Sequence, residues 1–473
     1  MEVTDQNAVL DEELPNKQRA HFNIFADKRP MWQILALFLI PLMLSNILQS
    51  AGQTFNSIFV GRMLGVNALA AISAFFPIFF LLFSFLIGLS SGSTVLIGQT
   101  YGARDFHKMK QVTGVTLFMG LALGILAMIV GLIFTDRLLM LLGTPANIMA
   151  DTINYSRVIL IASPLLFVYL IYTTLIRGTG DSTTPFYFLI ITTVLGIAFT
   201  PLFIRGWLGM PQLGVTSAAV AMIIANTIGL VLMMIYLRRV GNPLAMDWEI
   251  IRDLKFDPKI ALQIIKIGLP TGLQVIMVSL AEIAVLSFVN RFGSHATAAY
   301  GAVNQVVGYV QFPAISIGIA GSIFASQCIG AERNDKLKDV IRSAVGLQYA
   351  IVGTLVALCY IFAWNILGWF LTDADTLNKA HGLLMITLWG YLLFGNSAVI
   401  SGIMRASGAV LWPTLNGIFA IWAIEVPVAY ILMQKIGLNG IWIGYPVSFA
   451  VVLMLQFTYY TFFWKKRTHK RLV

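Results

Sequence analysis

Charge is what this sequence has least of. Only 11% of its 473 residues are charged, against about 25% in ordinary soluble domains. Its two cysteines, Cys328 and Cys359, cannot build a disulfide framework, and both fall in apolar runs, where cysteine packs as a small hydrophobe. Five histidines are scattered outside the centres of the apolar runs. No metal-ligand cluster, phosphate loop, nucleophile triad or close carboxylate pair is visible, so neither an enzyme nor a cofactor is expected. The first 30 residues are polar and mixed in charge. They show no basic start leading into a short apolar core, so no cleavable signal peptide is expected.

What is abundant is apolar residue. Hydrophobic residues make up 58% of the chain and mean hydropathy is +0.82. Runs of spanning length sit near 31–58, 67–100, 112–134, 152–177, 184–205 and 213–237. Six more sit near 262–290, 297–328, 341–371, 381–405, 411–434 and 439–464. A crossing needs about 20 residues as helix, and barrel strands would alternate over about 10. Twelve helical spans, numbered here in chain order, are therefore expected, because backbone groups in lipid must be satisfied within each segment.

The net charge of +10 is distributed by side of the membrane. Of 31 Lys and Arg residues, 24 fall in the tails and the connections after even-numbered spans. Positive charge marks the cytoplasmic side, so both termini and the polar linker over 238–261 are expected there. The basic surplus reads as topology, not as nucleic-acid binding. The linker is polar enough to lie in water. The expected organisation is a tail over 1–30, a first lobe over 31–237, the linker, a second lobe over 262–464 and a basic tail over 465–473.

The halves repeat. Arg177-Gly178-Thr179-Gly180 with Pro185 recurs 228 residues later as Arg405-Ala406-Ser407-Gly408 with Pro413. Gln99 to Ala103 recurs as Gln327 to Ala331 at the same offset, and Pro41 recurs as Pro270 at 229. Six crossings per repeat is an even number, so the repeats run parallel, one of the two arrangements of duplicated transporters. The expected fold is an all-α membrane protein: two parallel six-helix repeats around a central cleft.

Polar residues inside the spans then become candidates. Asn46, Gln49, Gln53 and Asn56 form one stripe on span 1 by their 3, 4, 3 spacing. The stripe either lines a cavity or bonds helix to helix. Glu282 in span 7 and Glu425 in span 11 are the two acids well inside apolar runs. An intramembrane acid costs at least about 2.5–3.5 kcal/mol and is a functional candidate by default. Glu282 lies twelve residues after Pro270, as Gln53 does after Pro41, which puts it on the duplicate of the amide stripe. Gln274 lies two turns before it. Asn304, Gln305, Gln311, Tyr391, Asn396 and Asn416 are further cavity candidates, with packing as the competing reading. Pro41 and Pro270 are either fixed bends or hinges. Arg177 and Arg405 fix helix ends or form a gate.

These residues also resemble a known family. Ile58-Phe59-Val60-Gly61-Arg62 after Pro41, Gly98-Gln99 with Gly102-Ala103, Arg177-Gly178-x-Gly180-Asp181 and Ile267-Gly268-Leu269-Pro270 look like the multidrug and toxic compound extrusion (MATE) family. So does Gly440-Ile441-Trp442-Ile443-Gly444, and the likeness covers residues 31–464. The resemblance implies export of organic, often cationic compounds in exchange for Na⁺ or H⁺, by a monomer in a bacterial inner membrane. Some positions depart from it. One branch has an Asp as its proton site where Asn56 stands here. Another has a Glu where Val278 stands and an Asp in span 10, which here holds Asn396. The family commonly has a basic residue at the position of Glu425. The expected coupling residues are Glu282 and Glu425. The substrate-facing set is Gln49, Gln53, Asn56, Gln274, Asn304, Gln305, Tyr391, Asn396 and Asn416. A flippase for lipid-linked precursors would favour a basic cavity; a transport-inactive scaffold is the third reading.

Overall fold

The structure, a computed structural model, describes residues 28–473, and no strand occurs among them. The tail expected over 1–30 lies outside the described residues up to residue 27. Eleven helices are long and apolar enough to cross a membrane, and a bent pair makes twelve. Spans 1 to 6 are Met31–Met63, Val66–Gly102, Phe106–Leu141, Ala146–Gly178, Thr183–Arg205 and Gly214–Val240. Spans 7 to 9 are Pro258–Asn290, Ser294–Gly330 and Asn334–Ile361. Span 10 is the pair Ala374–Thr387 and Gly390–Ala406; spans 11 and 12 are Leu411–Ile436 and Leu438–Trp464. The helices begin and end in polar flanks that apolar runs cannot reveal, so most outreach the runs. The run near 341–371 is the exception. It contains the end of span 9 at Ile361 and a separate short helix, Ala363–Gly368.

The backbone carries the duplication as plainly as the sequence does. Gly65 and Gly293, 228 residues apart, precede spans 2 and 8 with φ/ψ of 90°/178° and 87°/179°, a region essentially reserved for glycine. Arg104 and Glu332 share left-handed φ values of 57° and 56°, Gly180 and Gly408 share 90° and 81°, and Gly209 and Gly437 share 78° and 70°. Each pair is again 228 apart.

Two compact units result. One comprises Ile40–Ile265, the other Arg29–Leu39 with Lys266–Leu472. In the second unit, the Phe38 ring from the start of span 1 meets Phe324 of span 8 edge-on at 5.3 Å. In the first unit, the linker does not lie free in water. Leu244 and Ile250 are fully buried, the Tyr172 hydroxyl donates to the Leu244 carbonyl, and Lys110 pairs with Asp247 and Glu249 (2.8 Å to the latter). Local side-chain bonds accompany it: the Leu244 N–H donates to the Asn242 side chain, and Asp247 accepts from the Ile250 N–H and starts the short helix Trp248–Arg252, which turns Ile250 inward.

This docking predicts a pH signature. Burial opposes ionisation of Asp247, but the hydrogen bonds from Lys110 and the Ile250 N–H outweigh it and hold the carboxyl below its usual range. A depressed folded value contributes stability above the unfolded value of about 3.9, lost as pH falls through the folded one. Lys110→Ala should therefore cost about 0.2–1 kcal/mol near neutrality, as for a partly exposed pair. Thermal melts of variant and parent should converge as pH drops below about 4.

Span 10 was expected as one run and is broken at residues 388–389, bent by 44°. No proline lies there. The Tyr360 hydroxyl from span 9 accepts the Trp389 N–H (3.0 Å) and donates to the Met385 carbonyl (3.3 Å). Residues 385 and 389 are the partners of one i→i−4 bond, so the hydroxyl is inserted into the helical ladder. Side-chain insertion is one of the few causes of a sharp kink. Tyr360→Phe leaves the two backbone groups without that bridge and should cost about 1–3 kcal/mol, read as a lowered melting temperature in detergent.

Candidate functional site

The second unit concentrates its buried polarity around Glu425. Span 11 is interrupted by a wide, π-type turn over Ala420–Glu425, just before Pro427. Proline cannot donate to the ladder, and widening the preceding turn accommodates it; such bulges recur at functional sites. Glu425 ends the turn and is only 5% exposed. Span 12 approaches closely because Gly444 lacks a side chain: a Cβ there would lie 3.0 Å from the Glu425 carbonyl oxygen and 3.2 Å from the Ala429 Cβ.

That approach brings Ser448 to the acid. Its Oγ stands 2.8 Å from Glu425 Oε2 and 2.9 Å from the Tyr445 carbonyl. A hydroxyl has one proton and two lone pairs. It donates to Glu425 when the acid is ionised. When the acid is protonated, it can accept from Glu425 and donate to the carbonyl instead. The pair thus fits both charge states of the carboxyl group without moving the backbone.

Aromatic residues surround it. The Tyr445 and Tyr300 hydroxyls are 3.1 Å apart, and the Tyr300 ring stacks on Trp442 at 5.4 Å and 7°. Tyr391 of span 10 meets Phe394 and Phe449 edge-on at 5.8 and 5.2 Å. Glu282 is exposed on span 7, within electrostatic range of Tyr300, Tyr391 and Glu425. The two acids therefore have Tyr300 and Tyr391 in common, and Tyr445 lies near Glu425.

The other sequence candidates fall into distinct settings. Asn304, one turn after Tyr300 on span 8, is exposed and its amide neighbours the Tyr300 hydroxyl. Gln305 is exposed and Asn416 half-buried. Asn396 is buried and donates to the Leu392 carbonyl of its own helix. Gln274 is held by Arg405, whose Nη2 donates to its Oε1 at 2.6 Å.

In the first unit, Asn56 accepts from the Thr200 hydroxyl of span 5 at 2.7 Å. Gln49 and Gln53 are exposed and Asn46 is half-buried. The stripe thus bonds helix to helix at one end and leaves its middle amides open. Pro41 and Pro270 lie within continuous helices. Sequence reading missed Ser448, Tyr300 and Tyr445. No spacing marks them, because they meet only where spans 8, 11 and 12 pack.

One group of possible metal ligands occurs among the described residues: His295, Asp373 and Asp375, with ligand atoms within 4.8 Å of one another. All three are exposed. Their bonds are those of a helix start, since Asp373 caps Thr376, His295 bonds the Thr376 hydroxyl at 2.7 Å and Asp375 pairs with Lys379. The 78-residue separation of His295 and Asp373 hides the group from sequence spacing.

Known proteins match this chain over most of its length. The MatE family model matches twice, over residues 41–202 and 270–431, one copy beginning at each repeated proline. A Bacillus subtilis protein named probable multidrug resistance protein YoeA is 52% identical over 448 residues, 94% of this chain and 97% of its own. The multidrug export protein MepA of Staphylococcus aureus strain MSSA476 is 26% identical, covering 88% of this chain and 90% of its own. Among solved structures, the crystal structure of MATE in the bent conformation superposes with a TM-score of 0.83 at 22% identity, covering 91% of this chain and 95% of that one. A mutant of the Vibrio cholerae MATE transporter VcmN gives 0.84 at 20%, with coverages of 92% and 98%. With the family model recognising both halves and a relative more than half identical over nearly its full length, this multi-pass membrane protein belongs to the MatE family.

Proposed function

We propose that the protein exports organic compounds, often cationic, by exchanging them for inward-moving Na⁺ or H⁺. The observation that carries the export reading is the 52% identity, over almost the entire chain, to a relative named a probable multidrug resistance protein. The coupling reading rests on Glu425 beside Ser448, in the neighbourhood it shares with Glu282. Glu282 and Glu425 take the coupling ion. In the first unit the exposed amides Gln49 and Gln53 offer polar surface to the substrate; in the second unit Asn304 and Gln305 do so, with half-buried Asn416 and buried Tyr391 behind them. Asn56 in the first unit, and Asn396 and Gln274 in the second, hold their own helices in place through the bonds described above. In this reading the protein works as a monomer in the inner membrane, with both termini cytoplasmic and the basic residues on that side. One charge crossing 100 mV supplies about 2.3 kcal/mol, enough to bias the exchange.

Reconstituted protein loaded with a fluorescent organic cation separates the possibilities. With Na⁺ and pH gradients imposed one at a time, at least one should drive efflux well above that of protein-free vesicles. Efflux indifferent to both gradients would overturn exchange.

A further inference from the structure

The two acids sit on different helices, span 7 and span 11, so their mutual placement depends on what ties these helices together. Two contacts do so. Arg405, near the end of span 10, donates from Nη1 to the Thr271 hydroxyl at 3.0 Å and from Nη2 to Gln274 Oε1 at 2.6 Å. The other end of the Gln274 amide lies in a notch made by Gly417 of span 11, where a Cβ would come within 2.6 Å of Nε2. One turn on, the Trp422 indole N–H donates to the Met277 carbonyl at 3.2 Å. Gln274 lies two turns before Glu282, and Gly417 eight residues before Glu425.

Arg405 itself is partly buried, and no carboxylate pairs with it among the described residues. Its Nε–H is buried without an acceptor. A guanidinium placed this way is not there as half of an ion pair. Its planar fork reaches two acceptors a turn apart on span 7, a geometry a lysine ammonium cannot reproduce. The first repeat has Arg177 at the duplicate position, but Ser45 stands where Gln274 does at the 229 offset, and its hydroxyl bonds the Pro41 carbonyl of its own helix. The clamp built on Gln274 belongs to the half that carries the acids.

We propose that Arg405 and Gly417 form a clamp on Gln274 that fixes the register of spans 7 and 11. Arg405 is thereby a positioning residue that sets how tightly Glu282 and Glu425 bind the driving cation. This rests on the exchange reading above. Ser448 of span 12 bonds Glu425, the titratable groups near Glu425 are Tyr300, Tyr391 and Tyr445 with Glu282, and those near Glu282 are Tyr300 and Tyr391. None of them changes in the variants that test the clamp.

The test measures dye efflux from reconstituted vesicles against the concentration of the driving cation, Na⁺ and H⁺ in separate series. Arg405→Gln removes both donors. Gly417→Ala leaves Arg405 and every charge in place but pushes the Gln274 amide out of its notch. Both should raise the half-saturating cation concentration about tenfold, the size of one lost charge-assisted hydrogen bond. Arg405→Lys, which can reach one acceptor, should recover part of the shift. If Arg405→Gln folds poorly, the milder Gly417→Ala decides alone. A lowered maximal rate with unchanged half-saturation in Gly417→Ala overturns the clamp, provided that Glu425→Gln abolishes exchange. If Glu282→Gln and Glu425→Gln both exchange normally, the assignment of coupling to these two acids fails instead.

Discussion

Glu425→Gln should reduce gradient-driven efflux to the level of protein-free vesicles. Glutamine keeps the shape of the side chain and can still bond Ser448, which stands 2.8 Å from the carboxylate. It cannot ionise, take up a proton or neutralise a cation. The buried setting, 5% exposed, leaves no bulk water to substitute for the lost charge. Glu282→Gln should act in the same direction, because Glu282 is the other acid in the neighbourhood of Tyr300 and Tyr391. Ser448→Ala should be milder, about 1.5–3 kcal/mol for a hydrogen bond to a charged group, seen as a weaker response to the driving gradient. The measurement is dye efflux normalised to the amount of folded protein in the vesicles. Undiminished efflux in Glu425→Gln removes this acid from the coupling.

The largest structural loss is expected at a glycine. Helices in lipid associate through close packing of small residues rather than through a hydrophobic drive. Spans 8 and 10 cross at such a point. A Cβ on Gly402 would fall 2.3 Å from the Gly318 carbonyl oxygen, and one on Gly318 would fall 3.0 Å from the Ala398 carbonyl oxygen. The obstacle is backbone, so no rotamer change relieves it. Gly402→Val should cost at least the 1–3 kcal/mol or so of an overpacked core, and separating these helices disturbs Tyr300 and Tyr391 as well, which they carry. The expected result is a sharply lowered melting temperature in detergent. Gly301→Ala, on the same span 8 with nothing within 4 Å of its Cβ, is the control and should melt as the parent does. Equal melting of both variants would contradict the packing described.

Much of the fold was legible from residue order. The twelve spans follow from unbroken apolar runs, because lipid offers no partner for a backbone group. The duplication follows from motifs repeated at one offset, and the structure repeats it in the unusual φ values of Gly65 and Gly293 and of Arg104 and Glu332. The break in span 10 was not legible. Its cause is a hydroxyl from another helix, Tyr360, and nothing within residues 381–405 marks it. The docked linker was likewise hidden, since its overall polarity outweighed the two apolar residues, Leu244 and Ile250, that decide its position.

The candidate site divides the same way. Glu282 and Glu425 announced themselves, because an acid inside an apolar run is costly wherever the chain folds. Sequence alone therefore determined that this is a duplicated, all-helical membrane protein with two acids needing a reason to be there. Which groups meet those acids was decided by the packing of spans 7, 8, 10, 11 and 12. Ser448, Tyr300, Tyr445 and the Arg405–Gln274 contact lie up to 145 residues from their partners. Hydropathy is a property of each segment by itself, while a hydrogen bond between helices requires two of them to be brought within about 3 Å at a particular rotation, which only the tertiary structure can do.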